Sequence, residues 1–428
     1  MPRQHYSLST TVYFCGLAPQ CCTSLKAATG VLEFFFPEQA RQGEIPHATS
    51  GRNWLMRLGY YKLHCPKQRA DDWVWLADHA IQIGKHRFFG IVGVRLAHLP
   101  PPGESLKLCD LEPIALLPVE ASSRQIVHCQ LEKVARQHGV PRAILSDEGS
   151  DLLGGAKLFC DAHPETTWLS DMPHKAARLL KRRLHENPRW ISFCRQAGQT
   201  KSLTSQTELA FLMPPRQRAK ARYMNLQSLL QWARKTLEIL EDPPAVVLTY
   251  CSEQRLKEKF DWLREYRQDM ECWSAWLEMT DRCVDLIRRY GYSVQTQARL
   301  AKELSALAGG SDVCSLGDEL LAFVEEQSSK AHPGERLPGS TEILESSFGK
   351  LKAIEGEQQR SGFTSLILIW AALFGDLSSG LIHRAMKATP LKVVKRWLAA
   401  QLGPTVQSKR AATSHALRTN TAEKPEET

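Results

Sequence analysis

Two short, mainly apolar runs, each closed by an aspartate, constrain this chain most. Trp73-Val74-Trp75-Leu76-Ala77 is followed by Asp78, and Ala143-Ile144-Leu145-Ser146 by Asp147. A run of four or five apolar residues with no polar alternation is too short for a buried helix and suits a strand covered on both faces. An acid at the end of such a strand stands at the rim of a sheet. There a carboxylate has a rigid backbone beneath it and solvent or substrate in front.

The segments around these runs alternate in the same sense. Arg87–Arg95 and Ile114–Val119 read as a second and a third strand, Ser123–His138 as a helix, and Thr166–Ser170 as a fifth strand. Asp171-Met172-Pro173-His174 then opens a helix to Leu184, with Pro173 at a first-turn position that tolerates it. Three strands, then helix–strand–helix–strand–helix, is the order of an RNase H-like core. The expected fold class is therefore α/β: a mixed RNase H-like sheet with flanking helices. A large all-α insertion interrupts it, and a small helical module precedes it.

The expected divisions follow from composition. Residues 1–70 read as a helical module. Within it Thr49–Gly59 carries an apolar stripe, and Arg52 and Arg57 could serve a helix-turn-helix facing DNA. Residues 71–186 are the first part of the core, and 187–339 a helical insertion with Trp232, Trp262, Trp273 and Trp276 to bury. Residues 340–402 return to the core with a late helix. Residues 403–428 are polar and expected to be disordered.

Length and composition set broad limits. The 428 residues carry 43% hydrophobic and 24% charged side chains, ordinary for a globular protein, and no run reaches the ~18 apolar residues of a membrane span. The N-terminus lacks the pattern of a secretory signal, so a cytoplasmic location is expected. The 12 cysteines are scattered without a C-x-x-C pair, which speaks against structural zinc, and most are expected to be small buried residues. The net charge of +9 is unevenly spread. Between His174 and Lys235, fourteen Lys or Arg face two acids, including Lys175, Arg182, Arg183, Arg216, Arg218 and Arg222. Such a concentration favours a phosphate polymer through counterion release.

A third acid completes the candidate chemistry. Glu345 lies at the start of a helical pattern running to Lys352 and beyond. Two acids at strand ends and one on a late helix have the layout of a two-metal phosphoryl-transfer site. Magnesium takes hard oxygen ligands and keeps several waters, so Asp78, Asp147 and Glu345 could suffice for a pair of ions. Lys352 shares a helix face with Glu345, and with Lys350 could contact a phosphate beside the metals. His174, three residues after Asp171, could contact DNA near the scissile phosphate. The plainer alternative is a capping aspartate with a packed histidine.

Taken together, these residues resemble the DDE transposases of insertion sequences, whose catalytic domain is RNase H-like. The resemblance rests on the strand ending at Asp78, on Ile144-Leu145-Ser146-Asp147, on Asp171-Met172-Pro173-His174, and on Glu345 followed by Lys352. The third element is similar to the C/D-x-x-H motif of mutator-like and hAT-like branches. In the fourth, Thr341 fits the family pattern, while Glu342 stands where Asn is common. The resemblance implies two Mg²⁺ ions (Mn²⁺ able to substitute) held by Asp78, Asp147 and Glu345. It also implies double-stranded DNA as partner, both terminal repeats and target, nicking to free a 3′ hydroxyl, transfer of that hydroxyl into target DNA, and a homodimer or larger assembly. A transposase-derived DNA-binding protein without catalysis, or an RNase H-like nuclease without strand transfer, are the competing expectations.

Overall fold

The computed structural model describes residues 5–83, 86–217, 226–307, 311–356, 366–403 and 406–422. Four helices open the chain: α1 (Leu8–Cys21), α2 (Leu25–Phe35), α3 (Pro37–Arg41) and α4 (Ala48–His64). Strands β1 (Trp73–Ile83), β2 (His86–Arg95) and β3 (Glu112–Val119) follow, then α5 (Arg124–His138), β4 (Ala143–Ser146), α6 (Ser150–Ala162) and β5 (Thr167–Ser170). Eight helices come next: α7 (Met172–Glu186), α8 (Pro188–Thr204), α9 (Leu226–Glu241), α10 (Ala245–Leu248), α11 (Glu253–Phe260), α12 (Arg267–Tyr290), α13 (Val294–Ser305) and α14 (Ser311–Ser328). The chain closes with α15 (Glu342–Gly356), α16 (Ile367–Ala372), α17 (Ser379–Ala388), α18 (Leu391–Leu402) and α19 (Val406–Ala422).

Contacts divide the chain into two units. One holds Met1–Pro101, Ser105–Leu169 and Thr341–Thr428; the other holds Pro102–Glu104 and Ser170–Ser340. The helical excursion thus begins at the end of β5, not after residue 186 as the sequence suggests. Helix α7 belongs with it because its apolar face packs on α12, where Met172 Sδ lies 3.8 Å from Sγ of the buried Cys283. Residues 1–70 are likewise no separate module. Helix α4 packs on α16 and α17, and Gly59 comes so close that an added Cβ would lie 1.8 Å from the Leu368 carbonyl oxygen. The tail expected to be disordered carries α19, whose sequence from Val406 to Ala422 has no Gly or Pro to interrupt it.

The sheet of the first unit is mixed, in the order β3-β2-β1-β4-β5. β1, β2 and β3 form an antiparallel meander, and β4 joins β1 in parallel through the intervening α5. One face carries Trp73, Trp75, Ala77, Phe89, Ile91, Ile114 and Ile144, packed on Val127, Leu131 and Val134 of α5 and on Leu152, Ala156 and Phe159 of α6. The alternate residues of β1 (Val74, Leu76) are fully buried on the other side, and α15 packs against β1. Covering both faces explains why these strands read as continuous apolar runs. Ser24 and Ser123 cap α2 and α5 by accepting the N–H of Ala27 and Ile126.

The second unit is all helical. Its centre is an aromatic cluster in which Trp190, Phe193, Tyr266 and Trp273 meet edge-on or stacked, with ring centroids 5.0–6.3 Å apart. Trp273 and Trp276 are buried as the sequence suggests.

All 12 cysteines are free thiols, but only Cys15, Cys251 and Cys283 are buried, while Cys21, Cys109, Cys129 and Cys314 are exposed. The expectation that most are core residues therefore fails. In the helices these thiols follow the register of their neighbours, and Cys129 falls beside Gln130 on the outer side of α5, away from Val127 and Leu131.

Candidate functional site

Asp78 closes the apolar run but not the strand. β1 continues to Ile83 because its hairpin with β2 runs beyond the last residue of β4. Asp78 sits where β1 loses its parallel neighbour. The register pairs Val74 with Ala143, Trp75 with Ile144 and Leu76 with Leu145, and this last pair stands two residues before Asp78 and Asp147. On its other side Asp78 faces Gly90 of β2, which has no side chain to crowd it. Adjacent strands lie about 5 Å apart, so the chain leaves β4 for Asp147 close to β1.

Strand alternation puts both acids on one face. Trp75 and Ala77 point into the α5–α6 layer, so Leu76 and Asp78 point the other way. On β4, Ile144 joins that same layer, so Leu145 and Asp147 share the face of Asp78. This is the face left for α15, the helix that bears Glu345.

Both aspartates are half-buried. Asp147 is steadied from behind: its Oδ1 accepts the N–H of Gly149 at 3.0 Å, and Ser146 Oγ accepts the indole N–H of Trp168 at 3.0 Å. Gly149 fits between two carboxylates, since a Cβ there would lie 3.0 Å from Asp147 Oδ1 and 3.3 Å from Asp151 Oδ1.

A cluster on the opposite face of β1 was not legible as a site in the sequence. His79 Nε2 lies 3.0 Å from Asp151 Oδ2 and 2.8 Å from Ser122 Oγ. Although partial burial pushes the Asp151 carboxyl upward, hydrogen bonds from Ser122 and the Leu152 N–H, together with His79, hold it below the usual aspartate value. The only signal available was that Asp151 follows Asp147 by four residues.

Glu345 and Lys352 lie on the exposed side of α15, whose buried side is Leu344, Ser347, Phe348, Leu351 and Ile354. Lys350 is half-exposed. Among the described residues, no group of three or more His, Cys, Asp or Glu is arranged so that it could hold a metal ion. The aspartate pair supplies the hard oxygens that magnesium takes; Glu345 does not close a three-carboxylate cage with it in this arrangement.

The other expected contacts fall in varied places. In the second unit, Asp171 is fully buried and caps α7: its Oδ2 accepts both the N–H and the Nδ1–H of His174, at 2.8 and 2.6 Å. The capping aspartate of the plainer reading is present, while His174 itself is half-exposed. Arg182 and Arg183 both bind Glu319, at 2.7 and 2.6 Å, and Lys175 lies over the Phe323 ring. Arg216 is exposed, whereas Arg218 and Arg222 lie outside the described residues. In the first unit Arg57, expected to face DNA, donates instead to the carbonyls of Thr389 (2.6 Å) and Met386 at the end of α17. Arg52 keeps its Nε buried without a hydrogen-bond partner among the described residues.

No helix among the described residues is long and apolar enough to cross a membrane. No family model matches the chain, and neither does any curated protein. Among solved structures it is similar to the Drosophila P element transposase strand transfer complex, at 12% identity and a TM-score of 0.40, over 89% of this chain and 93% of that one. A likeness at that level decides neither fold nor activity.

Proposed function

We propose that this chain is a DDE-type DNA transposase with an RNase H-like core, cutting DNA at the ends of its element and joining the freed 3′ hydroxyl to target DNA. The observation that carries the reading is the parallel pairing of β1 with β4, whose last matched residues, Leu76 and Leu145, each stand two residues before an aspartate, Asp78 and Asp147, on the sheet that α15, Glu345's helix, packs against. Asp78 and Asp147 would supply two carboxylate ligands to Mg²⁺, and Glu345 would have to swing in from the exposed side of α15 to add a third. Two such ions would activate the attacking oxygen and stabilise the leaving one.

In this reading the protein's own groups orient the reacting phosphate. Gly149 and Trp168 fix the backbone around Asp147, and Lys352, on the same side of α15 as Glu345, meets the phosphate charge. Double-stranded DNA is substrate and target, and a pair of chains would hold the two ends.

The test is a magnesium-dependent assay on duplex DNA ending in the element's terminal repeat, with joining of a pre-cut end to plasmid scored separately. Wild type should cut and join, and Asp147→Asn should do neither. Cutting without joining would leave a plain nuclease. A second reading, a DNA-binding protein derived from a transposase, is favoured by the exposed placement of Glu345. DNA binding with no cutting in wild type would establish it.

A further inference from the structure

A second concentration of positive charge lies outside the stretch to which the sequence directs attention. Within 174–235, Arg182, Arg183 and Arg189 are tied to Glu319 and Asp269, and Lys175 is spent on an aromatic face. From Leu377 to Ala422, by contrast, the chain has eight Lys or Arg and no Asp or Glu at all. Five of these cations, Arg384 and Lys387 on α17 and Lys392, Lys395 and Arg396 on α18, are exposed. No ion pair of theirs occurs among the described residues.

Helical spacing sorts these two helices cleanly. On α17, Ile382, Ala385 and Met386 are buried while Arg384 and Lys387 face outward; on α18, Val394 and Leu398 are inward while Lys392, Lys395 and Arg396 face outward. Both helices pack on α4, and Arg57 ties the end of α17 by donating to the Thr389 carbonyl, directly before Pro390 and α18. The charged faces are thus carried on a fixed support.

Local electrostatics opposes this arrangement. Lys392 stands in the first turn of α18, beside the positive end of the helix dipole, and no acid occupies the first turn of either helix. Such placement weakens the helix and is compensated when an anion binds.

We infer that the outward faces of α17 and α18, through Arg384, Lys387, Lys392, Lys395 and Arg396, form a contact surface for the sugar–phosphate backbone of double-stranded DNA. The partner follows from what else the surface holds. A membrane-surface helix needs its apolar side free, and here that side is buried against α4. A single-strand groove needs exposed aromatic rings; the aromatic side chain here, Trp397, packs edge-on against Tyr60 and His64. What remains is a row of long cations suited to phosphates. This deepens the DNA-binding part of the proposed function and does not depend on cleavage.

The experiment measures binding of the full chain to a labelled random-sequence duplex by fluorescence anisotropy, without divalent metal, across a salt series. Replacing Lys392, Lys395 and Arg396 together by Gln should weaken binding. It should also lower the slope of log affinity against log salt by about 0.9 for each phosphate no longer neutralised, up to about 2.7. Arg182→Gln with Arg183→Gln should leave the slope as in wild type. Lys392→Glu separates binding from folding, since it should raise or hold the melting temperature while weakening binding. Wild-type affinity and slope in both the α18 triple variant and Arg384→Gln with Lys387→Gln would overturn the inference, as would tighter binding of duplex RNA than of duplex DNA. Because cutting is not measured, a failure here is distinct from a failure of the Asp147→Asn test.

Discussion

Nε2 of His79 lies 3.0 Å from Oδ2 of Asp151, and the histidine is the residue next to Asp78 in the same strand. The pair joins the outer end of β1 to the first turn of α6, just after the segment that holds Asp147. Ser122 completes the cluster from the start of the α5 region. One face of β1 thus presents Asp78 while the other is anchored one residue later.

That anchor has a definite pH signature. Asp151's carboxyl is held below its ordinary 3.8 by Ser122, the Leu152 N–H and His79, against the opposing effect of burial. The unfolded state therefore binds the proton first as pH falls. The stabilisation is present above the unfolded value and is lost as pH drops through the lower folded one. Asp151→Asn should cost about 1 kcal/mol at pH 7. In urea unfolding curves the gap to wild type should close below about pH 3.8. A gap that persisted undiminished in acid would mean that the carboxylate charge plays no part.

A buried lysine moves stability in the same direction, but at the alkaline end of the pH range. Lys62 is buried beneath the carbonyls of Ala372 and Phe374, and desolvation lowers its ammonium from 10.5 to about 8, against the attraction of Asp376. Between these values the unfolded chain keeps a proton that the folded chain has released, so this group's contribution to stability rises with pH. Cys15 opposes it above pH 9, because burial raises its thiol from 9.0 to about 12. Comparing Lys62→Met with wild type cancels the cysteine. From pH 8 to above 10.5, the stability difference should move towards wild type by about 3 kcal/mol. A difference independent of pH would show that Lys62 titrates normally.

The close approach of α4 and α16 is testable by one methyl group. An added Cβ at Gly59 would lie 1.8 Å from the Leu368 carbonyl oxygen, and backbone cannot move aside as a side-chain tip can. Gly59→Ala should lower stability by about 3 kcal/mol in chemical denaturation, despite alanine's better helix propensity. Gly30, with open space around its missing Cβ in α2, is the control: Gly30→Ala should stabilise by up to about 1 kcal/mol.

What the sequence revealed followed from periodicity. Strands such as Trp73–Ala77 and Ala143–Ser146 announce themselves because both faces are covered, and Ser123 marks a helix start because few residues cap so well. The strands and the parallel pairing of β1 with β4 were within reach for that reason. The fate of single charges was not. Arg57 is drawn to carbonyls more than 300 residues away in the chain, and Arg182 and Arg183 to Glu319, and no local pattern encodes such pairings. The limits of residues 1–70 as a module were hidden likewise, because Gly59 packs on a helix from the other end of the chain.

The aspartate pair itself makes the last prediction, and it needs no catalysis to test. Two carboxylates brought near one another repel unless a cation lies between them, and the last β1–β4 pair, Leu76 with Leu145, stands two residues before Asp78 and Asp147. Without divalent metal, Asp78→Asn and Asp147→Asn should each leave the melting temperature unchanged or higher, although both replace half-buried acids at the core's edge. Millimolar Mg²⁺ should then raise the melting temperature of wild type but not of either variant, because a ligand that binds only the folded state stabilises it. In cutting assays each variant should lose at least about a thousandfold, and the double variant should be no worse than either single, since residues that act on one centre do not add. If Mg²⁺ shifts wild type and both variants equally, the two acids do not hold metal, and the transposase reading loses the pair on which it stands.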